Sequence, residues 1–212
     1  MELNLIYIAS VLIIIFISMT IHEVTHGYVA HLLGDSTASD LGRLSLNPLR
    51  HIDPFLTIIL PIVLAVSGLP VFGGAKPVPF NANQVRGGEW GVALVAIAGP
   101  LTNLALAFLT FAVLAVSDID INSLGGQFLL VATMVNLGFF VFNIIPVPPL
   151  DGSRVLYAIA PDFVRQFMSM IERAGLIIIF LIVMVASPLI GPFISGAMNF
   201  ILMVFSRMFG LS

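Results

Sequence analysis

His22-Glu23-Val24-Thr25-His26 gathers three rare polar side chains at the end of a run of 19 residues, Leu3 to Ile21, that carries no charge. On a helix, His22 and His26 fall on one face, stacked a turn apart, which suits two imidazoles on one metal ion. Glu23 stands beside the first of them, where a carboxylate can reach water at the metal. A single histidine on a helix is ordinarily a packing residue. Here the spacing of three polar groups, in a chain with only 9% charged residues, argues against that reading. An ionisable cluster on an apolar helix is costly in a bilayer and marks a functional site. The chemistry is that of a zinc hydrolase, set where a membrane helix is expected.

Composition narrows the setting. The 212 residues are 59% apolar, which excludes an ordinary soluble domain, and the long uncharged stretches predict several membrane helices. With no cysteine, thiolate zinc sites and disulfides are excluded, so His and carboxylate must hold any metal. A net charge of −3 without a basic run argues against nucleic acid as a partner. No Lys or Arg precedes the first apolar run, so it does not read as a removable signal.

The elements that must carry the motif can be placed in order. A first helix is predicted from about Leu5 to Leu33, stopped by Gly34, with the motif ~10 Å inside its C-terminal end. Residues 34–53 form a polar connector ending in Asp53-Pro54, a helix cap followed by proline. Phe55 to Phe72 is apolar but broken by Pro61, Gly68 and Pro70, and is expected to enter the bilayer and return. Gly73 to Asn81, with its prolines, reads as extended chain, an edge strand or polyproline segment. Spans are predicted at Trp90–Ser117 and Gln127–Ile145, separated by the acidic loop Asp118–Gly126. A proline-broken stretch from Asn143 to Gly152 leads to a short helix at Ser153–Ala160. Ile171–Ser187 and Leu189–Phe205 make a closing hairpin around Pro188, Gly191 and Pro192. The expected fold is an all-α polytopic membrane protein with about five full transmembrane helices, a re-entrant segment and a small membrane-associated β-like element. If 55–72 re-enters, Arg43, Arg50, Lys76, Arg86, Arg154, Arg165, Arg173 and Arg207 share one side. The metal motif then lies near the cytoplasmic face of the cell membrane.

A catalytic zinc takes three protein ligands and keeps one position open. Asp118 and Asp120 lie on the wrong side. Asp35, Asp40, Glu89, Asp162 and Glu172 read as solvated loop or interface charges, and Asp53 as a cap. Asp151 follows non-helical chain at membrane depth, which is tolerated only where protein buries it or it lines a watery cavity. It is either the third ligand or part of an ordinary surface turn; the residues alone leave both open. His31 reads as an interface residue and His51 as one that fixes the connector or meets lipid headgroups.

Three segments together, His22 to His26, Ala98-Gly99-Pro100-Leu101-Thr102-Asn103, and Asn143 through Leu150-Asp151-Gly152, resemble the signatures of the site-2 proteases, zinc metalloproteases that cut within membranes. Arg43 to Pro54 and Ala75 to Asn81 are similar to a compact bacterial subgroup without PDZ or CBS domain. The resemblance spans about residues 5 to 160. It implies one Zn2+ per chain on His22, His26 and Asp151, Glu23 as catalytic base, and Asn103 and Asn143 as residues lining the cleft against substrate. It further implies a metalloprotease core over 1–160, followed by a C-terminal transmembrane hairpin over 161–212 with no separate soluble domain. The partners implied are a transmembrane protein substrate and the lipid bilayer. Thr25 and Ser153 depart from the family, standing where smaller residues are usual. A helical substrate must unwind to be cut, and Gly74 to Asn81 offers an edge for it to pair with. Two alternatives are a divalent-metal transporter, which should carry ligands on several spans and internal repeats, and a non-catalytic membrane binding protein.

Overall fold

An uninterrupted apolar run with no proline gives α1 (Leu5–Leu32), and its C-terminus is closed from two directions. Gly34, at φ 106°, takes the left-handed conformation that ends a helix, and its amide bonds His31 O at 3.0 Å. The Arg86 guanidinium donates to Leu32 O (2.8 Å) and Leu33 O (3.1 Å), placing a cation on the orphan carbonyls at the helix end. The computed structural model that shows this describes residues 5–59, 63, 66, 74–174 and 176–211.

The connector is short turns tied to one another. It comprises α2 (Thr37–Asp40), a 3₁₀ turn (Pro48–His51) capped by Asn47, and a wider helical turn (Pro54–Ile59) whose Phe55 amide is capped by Asp53 at 2.9 Å, as the Asp-Pro pair predicts. His51 is buried, pairs with Ser45 O at 2.8 Å, and accepts the Lys76 amide on its own carbonyl. It fixes the connector. Asp35 is not the solvated charge expected: it is fully buried and accepts from Thr37 Oγ1 (2.5 Å), Thr37 N (3.0 Å) and Asn81 N (2.7 Å). Burial alone would raise its pKa, but these three donors outweigh it and hold the carboxyl below its ordinary value.

Residues 74–81 are extended but form no strand, and no β-structure occurs among the described residues. The expected β-like element is therefore a single tethered rail. Pro77 and Pro79 have no N–H to give a ladder, and the amides of Lys76, Val78 and Asn81 go instead to His51 O, Glu23 Oε2 and Asp35 Oδ2. Arg43 holds the other side through Lys76 O (3.1 Å) and Pro77 O (3.3 Å). Thr57 Oγ1 donates to Gly74 O at 2.7 Å, so the chain departs and returns at one place. Most of the expected re-entrant stretch itself lies outside the described residues.

Two long helices, α3 (Gly88–Val116) and α4 (Leu124–Asn143), pack against α1 and each other. Small residues on α3 (Gly91, Ala93, Ala96, Gly99) are buried there, as close helix approach in membranes requires. A proline-rich turn then leads into α5 (Gly152–Ile159) and α6 (Asp162–Ala174). The final element is one helix, α7 (Leu176–Met208), not the expected hairpin. Glu172 and Arg173 belong to α6, and Pro188 and Pro192 lie inside a continuous helix, which membrane helices tolerate where neighbours re-satisfy the freed backbone. Phe205 of α7 packs against Phe108 and Phe111 of α3, with ring centroids 5.1 and 5.6 Å apart. Four helices among the described residues are long and apolar enough to cross a membrane, against the five or so expected; the difference is the hairpin. The chain is an all-α, multi-pass membrane protein.

Candidate metal centre

His22 and His26 project from one face of α1, both buried, with ring centroids 4.6 Å apart. Their Nε2 atoms are 3.0 Å apart. Asp151, delivered by the turn before α5, sets Oδ2 at 3.1 Å from His22 Nε2 and 3.4 Å from His26 Nε2. Ligands at 2.0–2.1 Å around a tetrahedral zinc stand ~3.3 Å apart, so the three donors are spaced as three of its corners. The chemistry of the set agrees. His26 Nδ1 lies 2.8 Å from Val95 O, which can only accept, so Nδ1 carries a proton and Nε2 is the nitrogen left to face the cluster, with its lone pair in the neutral ring. A carboxylate oxygen converges on that lone pair, an arrangement that a dication satisfies.

Close approach of α3 makes this possible. A Cβ on Gly99 would stand 2.5 Å from His26 Nε2 and 2.7 Å from His22 Nε2, so only glycine lets the helix pass behind the histidines. Gly27 plays the same part for the rail: a Cβ there would meet Val78 Cγ1 at 2.6 Å. Thr25 fits because its hydroxyl is taken up locally, donating to Ile21 O (2.8 Å) and accepting from Thr102 Oγ1 (3.3 Å).

Glu23 is half-buried one residue from His22, and its Oε2 accepts the Val78 amide at 2.9 Å. One carboxylate oxygen is thus held by the rail. Asn103 is fully buried: its Oδ1 is 2.5 Å from His22 Nδ1 and its Nδ2 donates to Asn136 Oδ1 at 2.8 Å. Asn143 is half-buried at the end of α4, and its Nδ2 donates to Phe139 O at 3.0 Å. His31 is exposed. Sequence reasoning missed Asp35 and Asn136. Asp35 stands in a polar connector whose sequence gives no sign of burial. Asn136 carried a usable signal, a lone amide in the middle of a predicted apolar span, which should face the bundle interior.

The sequence pattern of peptidase family M50 matches residues 121–187, which include Asp151. YwhC of Bacillus subtilis is 38% identical over 93% of this chain and 91% of its own length. The chain belongs to peptidase family M50, the site-2 protease family. It is a membrane zinc metalloprotease. Rip2 of Mycobacterium tuberculosis is similar at 29% identity over 85% of this chain and 68% of its own length. The zinc metalloprotease MJ0392 of Methanocaldococcus jannaschii is 28% identical over 74% of this chain and 36% of its own. No solved structure matches.

Proposed function

We propose that this M50 peptidase hydrolyses peptide bonds within or next to the membrane-spanning segments of other membrane proteins, the cutting step of regulated intramembrane proteolysis. The observation that carries the reading is the convergence of His22 Nε2, His26 Nε2 and Asp151 Oδ2 on an otherwise apolar, membrane-length helix, with Glu23 beside them. A zinc ion on these three side chains supplies Lewis acidity, making a water nucleophile available near neutral pH and polarising a peptide carbonyl. Glu23 accepts the proton of the attacking water at the oxygen that Val78 does not occupy. As the C–N bond breaks, the same carboxyl returns that proton to the leaving nitrogen. Val78 keeps the carboxylate in one orientation throughout. Asn103 serves by holding His22 rather than by touching substrate. Asn143, whose Nδ2 is taken by Phe139 O, offers its Oδ1 as an acceptor for a substrate amide. An unwound substrate lies beside the rail at 74–81 without adding to it as a strand, because Pro77 and Pro79 have no N–H and the Lys76, Val78 and Asn81 amides are bonded within the protein.

Purified protein given a panel of single-span helices is expected to cut some of them inside the apolar stretch, and a chelator should stop it. Cleavage that persists in chelator, or is confined to soluble peptides, would refute the proposal. A transporter would need ligands along several spans. Among the described residues the metal-ligating groups form one cluster at one end of the bundle.

With one closing helix in place of the hairpin, Arg207 falls at the far end of α7, beside Phe108 and Phe111. The other seven basic residues stay at the end that holds the metal centre, and that bias supports a cytoplasmic placement of the centre in the cell membrane. The Thr57–Gly74 bond supports the re-entrant reading of 55–72, because both ends of that stretch lie together. The chain has no cysteine, so Leu46→Cys, Asn83→Cys and Asn122→Cys can be labelled cleanly, and all three positions are exposed. An impermeant thiol reagent on intact cells should label position 122 and neither 46 nor 83. Labelling of 83 alone, or of 46 with 122, would mean that 55–72 crosses; labelling of 46 and 83 without 122 would invert the molecule.

A further inference from the structure

Behind the metal ligands lies a chain of buried amides that closes on itself. His22 Nδ1 meets Asn103 Oδ1 at 2.5 Å, and Asn103 Nδ2 meets Asn136 Oδ1 at 2.8 Å. Asn136 Nδ2 meets both Ser18 Oγ (2.9 Å) and Ala132 O (2.8 Å). Ser18 is one turn before His22 on α1, so the ring joins α1, α3 and α4 and returns to its start. Each member is under a tenth exposed, and Asn103 is completely enclosed. Water therefore cannot substitute for a missing partner without a large rearrangement.

The direction of the ring follows from one atom. Ala132 O is a main-chain carbonyl and can only accept, so the Asn136 amide must turn its NH₂ toward it and its oxygen toward Asn103. Asn103 must then donate through Nδ2, which leaves Oδ1 facing His22. An oxygen there demands a proton on His22 Nδ1 and frees the Nε2 lone pair for the metal. We infer that Asn136 is a positioning residue for zinc: through Asn103 it sets the tautomer and ring orientation of His22, though it touches neither metal nor substrate. The inference rests on the metal site described above.

Removing an outer-shell partner of a ligating histidine typically weakens metal binding ~10–100-fold. Asn136→Leu, close in size but without donor or acceptor, should weaken zinc by that factor in chelator competition and change the visible spectrum of the Co2+-loaded protein. Adding Asn103→Asp should restore most of the affinity, because either carboxylate oxygen accepts from Nδ1–H without needing Asn136 to orient it. Unchanged zinc affinity in a folded Asn136→Leu protein overturns the inference, as does a loss that Asn103→Asp does not repair, which would make Asn136 a packing residue only. If Asn136→Leu does not fold, ¹⁵N NMR of the zinc-loaded unmodified chain decides: His22 should carry its proton on Nδ1, and a metal bound through Nδ1 refutes the inference. An unmodified protein that takes up no zinc would instead refute the metal site itself.

Discussion

Glu23→Gln protein is expected to keep its zinc and its fold and to turn over substrate ~10²–10⁴-fold more slowly, the usual worth of a positioned general base. The rail makes this substitution unusually informative. The Val78 amide sits 2.9 Å from Oε2 and needs an acceptor, so the glutamine must give it the carbonyl oxygen. The NH₂ is then forced to the place where a base is required, a donor where only an acceptor can work. The helix, the rail and the three side chains of the candidate metal centre lose no hydrogen bond. Metal analysis beside single-turnover kinetics separates the two effects, since a ligand defect lowers zinc content and a base defect does not. Near-normal cleavage by zinc-loaded Glu23→Gln would sink the assignment of Glu23.

The shared face of the two histidines was legible in the sequence because helical spacing is local: a step of four from His22 to His26 puts both on one face whatever surrounds them. The capping role of Asp53 and the three core spans were readable for the same reason, since a cap and an apolar run report on their own neighbourhood. What failed was non-local. Asp35 reads as a loop charge until Asn81, 46 residues away, comes to bond it. Asn103 lies in a recognisable motif, but which way its amide turns depends on Asn136 and, behind that, on a carbonyl of α4. The C-terminal hairpin was drawn at prolines, and prolines stop helices dependably in water. In a bilayer, where backbone groups left unpaired by water must find protein partners, Pro188 and Pro192 stay within α7. Asp151 fell between the cases: its proline-broken approach was visible, but its arrival at His22 and His26 was not a property of the spacing.

Gly99 shows the same dependence on a distant contact, and changing it carries the second large expected effect. Gly99→Ala adds one methyl, which in the middle of an exposed helix would be favourable by up to ~1 kcal/mol. Here the new Cβ would lie 2.5 Å from His26 Cε1 and Nε2 and 2.7 Å from His22 Nε2. Neither ring can swing aside freely, because His26 Nδ1 is bound to Val95 O and His22 Nδ1 to Asn103 Oδ1. Either α3 moves away from α1 by roughly an ångström, or the rings give up the bonds that aim them; both displace donor atoms that must hold their geometry closely. Zinc affinity should therefore fall at least ~100-fold, the upper end of what removing a ligand's supporting partner does. Helix content should stay unchanged by circular dichroism. Gly138→Ala on α4 is the matched control: its added Cβ meets nothing within 4 Å, so zinc binding should be unaffected. Equal zinc affinity in the Gly99 and Gly138 variants would show that α3 does not press on the histidines, and that glycine at 99 has no bearing on the metal centre.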